Sequence, residues 1–215
     1  MADPINKIVL LANNFEELKK IPFLKEILQL CYIINTLRSS QRFLLQTNKY
    51  YESPIRNRDT LFGLLITVSF LYEGTETASR ILRKLVSSLP NEIHNDITWV
   101  IKQKNEHDSF FNNTLFKIRT IVFHFGLKIE DTELKNSIAQ YPPIFAEGSS
   151  TITVDMSFSL ADNVITRILS AYVQSTDTPE EKVIDLVKQL SQYNEKLCRV
   201  IDNVIGSLIC NYAEA

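Results

Sequence analysis

The stretch that most constrains the fold is the last one. Thr178, Pro179 and Glu181 mark a helix start: a threonine able to cap, a proline at the first helical position and a glutamate that reaches back to the cap. Beyond them Val183, Val187, Leu190, Asn194, Leu197, Ile201, Val204 and Leu208 follow alternating steps of four and three. Such spacing lays a seam along one face of a helix for roughly seven turns, and a seam of that length needs another helix over it. The cover is either another helix of the same chain, the simpler packing, or a second copy. Asn194, its polar member, is either partly solvated or a buried amide that sets register.

The rest of the chain supplies partners of the same kind. Residues 22–47 carry Phe23, Ile27, Cys31, Ile34, Leu37 and Leu44 at helical spacing, with Pro22 at the first helical position and a shorter piece, "NNFEELKK", ahead of it. A second helix starts at Ser53 as cap and Pro54, and is expected to extend to Ser88 with Gly74 as a bend. Its core, "LFGLLITVSFLY" at 61–72, reads as buried on most sides. A third helix follows Pro90, and a fourth covers 109–126 with Gly126 as its C-cap. Residues 127–158 break the pattern with a double proline, a glycine–serine step and a β-like run, "STITVDMSF". They predict an insertion or arm, with a short irregular or hairpin piece near 140–158, before helix resumes at "LADNVITRILSAYVQS". Glycine is scarce, at 5 residues, so little interrupts these helices. The predicted fold is an all-α, up-and-down bundle of five to seven helices in a single domain, 1–215, large enough to bury a core without staples.

Several function classes are excluded or disfavoured. A formal charge of −2 does not suit a protein that coats nucleic acid by bulk electrostatics, so such contact would need a local patch. Cys31, Cys198 and Cys210 are too few and scattered for a disulfide framework or zinc site, and their apolar neighbours predict reduced, buried thiols in the cytoplasm. The first ten residues lack signal-peptide character, and 61–72 is too short to span a bilayer, so no membrane is expected. No phosphate loop, nucleophile elbow, paired-carboxylate motif or repeat occurs, and no cofactor or metal is implied. His94 and His107 have polar neighbours and read as solvated.

The chemistry-bearing candidate is "KIRTIVFHFG", residues 117–126. His124 lies between Phe123 and Phe125, which predicts a partly desolvated imidazole. On a helix Thr120 shares its face, and Arg119 is offset by about 140°. Unwinding at the helix end, or the length of the arginine, could bring guanidinium and imidazole to one ligand. Such a pair suits RNA cleavage: histidine moves the proton of a ribose 2′-hydroxyl, and arginine's fork holds the phosphoryl charge without a metal. The structural alternative has His124 on carbonyls at a helix C-terminus and Arg119 snorkelling to the surface.

Arg-x4-His in a helical bundle resembles the HEPN superfamily. Here "RTIVFH" supplies the arginine and histidine, and Thr120 stands where the family prefers Asn, Asp or His. The resemblance implies a homodimer whose motifs meet at the interface. It also implies a metal-independent endoribonuclease, or an RNA- or nucleotide-binding protein, of a toxin–antitoxin or defence-type system. Arg119 would be the phosphate clamp, His124 the acid/base group and Thr120 the supporting polar residue. The alternative function is a non-catalytic helical module that binds a protein partner through an apolar groove, the 140–158 arm or the C-terminal helix. Secondary candidates are Arg56 and Arg58, flanking Asn57 in the first turn of the second helix as an anion site or a solvated helix start. Glu73 is a further one, able to pair with Arg119 or another cation.

Overall fold

The computed structural model describes residues 9–10, 15–50, 55–123, 132, 135–136, 139, 147–148, 156–157, 159–170, 178–210 and 213–214. The described chain is an all-α bundle. After strand β1 (Val9–Leu10) and the single turn α1 (Phe15–Leu18) come α2 (Leu24–Tyr50), α3 (Ile55–Leu85) and α4 (His94–Asn105). There follow α5 (Phe116–Phe123), strands β2 (Glu147–Gly148) and β3 (Met156–Ser157), α6 (Ser159–Ser170), α7 (Pro179–Ile209) and β4 (Ala213–Glu214).

The centre is α3, which packs α2 on one side and α4, α5, α6 and α7 on the others. Its Leu64, Val68, Leu71 and Leu82 are fully buried, each side chain contributing about 1.5–3 kcal/mol by leaving water. Helices α2 and α3 run antiparallel, because Gly63 lies against Leu44 and Gly74 against Ile33 and Leu37. Both glycines let the helices approach closely: an added Cβ would meet the Leu44 Cα at 3.3 Å and the Ile33 Cγ2 at 3.2 Å. Between them Thr67 is buried too, its hydroxyl donating to Gly63 O at 2.8 Å with Ser40 O across the interface at 3.3 Å. Gly74 therefore marks a close approach of two helices.

The expected seam of α7 is intramolecular. Leu190, Asn194, Leu197, Ile201 and Val204 are buried within this one chain, and the expected capping box is formed at Thr178 and Glu181. Asn194 is the register-setting amide: at 0% exposure its Nδ2 donates to Leu37 O (3.2 Å) and Gln41 Oε1 (2.8 Å), while its Oδ1 accepts from the Cys198 thiol. A second bond, Thr75 Oγ1 to Tyr193 OH at 3.1 Å, ties α7 to α3, and burial pushes the Tyr193 phenol well above its usual range. Trp99 and Phe110 close on the Tyr193 ring at centroid distances of 5.3 Å each.

Several local expectations are corrected. Pro22 does not begin α2: it lies in a turn anchored by buried Ile21, and Phe23 takes a left-handed φ of 58° before the helix starts at Leu24. The Phe23 carbonyl then accepts the first helical bond, from Ile27 N–H at 2.9 Å. Helix α3 stops at Leu85 and passes into a 3-10 turn, Val86–Ser88. Residues 61–72 are buried on most sides as expected, and only Phe62 and Phe70 of that run face solvent. Cys198 is buried and its thiol pushed up to about 11, but Cys31 is half-buried and Cys210 exposed; all three are free. His94 is half-buried with Nε2 on Leu89 O at 3.0 Å, whereas His107 is exposed. The short ladders were not expected at the termini, where β1 pairs antiparallel with β4; β2 pairs likewise with β3 inside the 140–158 region. Ser53, Pro54, Gly126 and the remainder of 127–158 lie outside the described residues.

Candidate functional site

The placement of Arg119 begins at the turn between α4 and α5. A helix end leaves carbonyls without partners. Here Ser109 Oγ donates to Gln103 O (2.5 Å), and Asn112 Nδ2 donates to Lys104 O (3.2 Å) and Glu106 O (2.8 Å). Ser109 Oγ also accepts from the Asn112 N–H at 3.2 Å. The chain then enters a widened π turn, Phe111–Leu115, where an unbroken α-helix was expected. The consecutive rings at its start serve different partners: Phe110 packs on Tyr193, while Phe111 stacks on Tyr72 at 4.8 Å and 13°.

This packing sets α5 beside α3, and Arg119 meets the turn of α3 that carries Tyr72 and Glu73. Its Nη2 donates to Glu73 Oε1 at 2.5 Å, and its guanidinium carbon sits 4.6 Å from the centre of the Tyr72 ring. One turn along, Glu76 Oε1 accepts from Lys104 Nζ at 2.6 Å. That hydrogen bond holds the Glu76 carboxyl below its usual range. The Tyr72 hydroxyl is pushed upward, first by burial and then by the Glu76 carboxylate, against the opposing pull of Arg119. The result is two acid–base pairs across a tyrosine. One donor of the Arg119 fork is committed to a carboxylate, and the geometry is that of a fixed cation on an aromatic face.

Thr120 is exposed beside Arg119, and His124 lies outside the described residues. Arg58 is not brought to this place. It belongs to the first turns of α3, about 22 Å from Glu73 by helical rise, and its Nε donates to Asp59 Oδ1 at 2.9 Å. Arg56 lies in the same first turn, and its side chain is outside the described set. Among the described residues no group of three or more His, Cys, Asp or Glu converges as metal ligands, and no helix is long and apolar enough to cross a membrane.

A second feature was not singled out in the sequence. On the outer side of the α2–α3 pair a hollow of about 560 Å³ is lined by Leu28, Tyr32, Phe70, Glu73 and Gly74, among others. It continues past Tyr32 and Phe70 into a hollow of about 610 Å³ bordered by Phe43, Phe62 and Ile66. Tyr32 is 73% exposed and Phe62 57%; Leu28, Phe43 and Phe70 are exposed as well. The signal was present as second stripes: 28, 32, 36, 39 and 43 share one face of α2, and 62, 66, 70, 73 and 77 one face of α3. Glu73 belongs to both features, lining the hollow and holding Arg119. Comparison with protein-family models, curated proteins and solved structures finds no match for this chain.

Proposed function

We propose that the chain is a non-catalytic helical interaction module that docks a protein through the outer face of α2 and α3. The observation that carries this reading is one exposed face bearing Leu28, Tyr32, Phe43, Phe62 and Phe70, with almost no charge among the described residues that line it. Aromatic enrichment with depleted charge is the composition of an interface centre, and contiguous apolar surface of this kind marks binding sites. Replacing Tyr32 or Phe62 with a photo-crosslinking phenylalanine in cells tests it. Adducts to protein are expected from both positions and not from Glu195, which is exposed on α7. If neither position yields an adduct, the face is not a docking surface.

The metal-independent endoribonuclease is a second reading, favoured by Arg119 and Thr120 both reaching solvent near the end of α5, just ahead of His124. In that role Arg119 must exchange Glu73 for a phosphate. Cleavage of single-stranded RNA in chelator, lost in His124→Ala with the fold kept, would support it. Absence of cleavage by the wild-type chain, or cleavage indifferent to that substitution, rejects this site.

A further inference from the structure

We infer that the occupant of the α2–α3 face is a second copy of this chain, seated about a two-fold axis so that two antiparallel helix pairs close into a four-helix layer. This rests on the reading of that face as a docking surface and names its partner.

Three properties of the face point to self-pairing. The first is charge. An isologous contact turns a patch onto itself, so any net charge there meets its own kind. Among the described residues lining the two hollows Glu73 is the one that is charged, and Arg119 already compensates it. The remaining polar lining described there, including Gln29, Asn35, Thr36, Ser39, Ser69 and Thr77, is neutral and can donate and accept toward a copy of itself.

The second property is area. With about 150–250 Å² per aromatic side chain, the five exposed apolar residues alone present on the order of 500 Å². The neutral residues between them bring the face toward the ~800 Å² per partner that a standard stable interface buries.

The third is shape. Tyr32 stands where the two hollows join, so the face carries projecting rings and cavities side by side. Across a two-fold axis the Tyr32 and Phe62 rings of one copy can enter the hollows of the other, as knobs enter holes. Helix α2 has 27 residues and α3 has 31, long enough to pair over about 40 Å, and stacked antiparallel pairs are the standard way to bury such stripes.

Sedimentation equilibrium on the full chain tests this directly. The expected mass is twice the 24.7 kDa of one chain. Tyr32→Glu combined with Phe62→Glu places like charges across the axis and should weaken association by more than ~100-fold. Both residues face solvent in the single chain, so far-UV circular dichroism should be unchanged. Ile184→Glu, at an exposed apolar residue of α7, should leave the dimer intact. A monomeric wild-type chain at 100 μM overturns the inference, and so does a dimer indifferent to the double substitution. The crosslinks from positions 32 and 62 separate the two levels of the proposal. Adducts of the chain with itself, mapping to α2 or α3, support the inference. Adducts only to a different protein overturn it and leave the docking face standing, whereas none at all removes both.

Discussion

The Arg119–Glu73 pair gives the sharpest quantitative test, because its strength decides how available the arginine is to any other anion. The side chains are 33% and 52% exposed, so solvent screens the pair and its Coulombic worth is about 0.2–1 kcal/mol. The guanidinium over Tyr72 contributes about 0.5–1 kcal/mol more at this exposure. Arg119→Ala should therefore cost about 1–2 kcal/mol and Glu73→Ala less, with a coupling of about 0.5–1 kcal/mol in the double-mutant cycle. Urea unfolding monitored through Trp99, the single tryptophan, supplies the assay. Repeating the cycle at high salt should shrink the coupling, since both partners touch water. A coupling of zero at low salt, with Arg119→Ala neutral, would refute the ion pair and leave the guanidinium uncommitted. If the chain cleaves RNA, Glu73→Ala should raise the rate by releasing the phosphate clamp, whereas a purely structural Arg119 predicts no gain.

Three further outcomes follow from the helix packing and the second charge pair, each read by denaturant or thermal unfolding. Gly63→Ala must push against the Leu44 backbone at 3.3 Å and should destabilise by about 1–3 kcal/mol, while Gly206→Ala, with nothing within 4 Å, should stabilise by up to about 1 kcal/mol. Asn194→Leu strands the Gln41 amide oxygen and the Cys198 thiol, and should cost about 1–3 kcal/mol; adding Gln41→Leu should recover part of it. Glu76 titrates below its usual range when folded, so its stabilisation is present above the unfolded carboxylate range and is lost as pH falls through the lower, folded value. Lys104→Met should flatten that acid limb by less than about 1 kcal/mol, because the two side chains are 40% and 39% exposed.

The bundle was legible because its strongest signals are local or periodic. The capping box at Thr178 needs only three residues, and the α7 seam announces its own face. The role of Asn194 stayed open between partial solvation and a buried register-setting amide, because its partner lies 157 residues away at Leu37 and so leaves no local trace. Periodicity reports that a face is apolar without reporting whether anything covers it. For this reason the run 61–72 reads as one apolar block, although α3 turns Phe62 and Phe70 outward while burying Leu64 and Leu71. The π turn and the left-handed Phe23 have tertiary causes: rings that must reach Tyr193 and Tyr72, and a turn pulled inward by Ile21. At the candidate site the possible pairing of Glu73 with Arg119 was visible as charge types on helices, but the Tyr72 platform that fixes it required the α3–α5 packing.

The two functional readings meet on one side chain. Glu73 lies at the edge of the apolar hollow and holds Arg119 on its other side. Covering the hollow with a second copy takes water away from Glu73, and a pair that loses solvent gains Coulombic strength provided both partners stay bonded. Docking on α2 and α3 would thus tighten the hold on the guanidinium and oppose its transfer to a phosphate. A chain that associates through this face and also cleaves RNA through Arg119 should cleave more slowly as it dimerises. A rate per chain that falls with protein concentration, and recovers in Tyr32→Glu/Phe62→Glu, would show the two uses of Glu73 in competition; a rate that rises with concentration would place Arg119 outside the reach of this coupling.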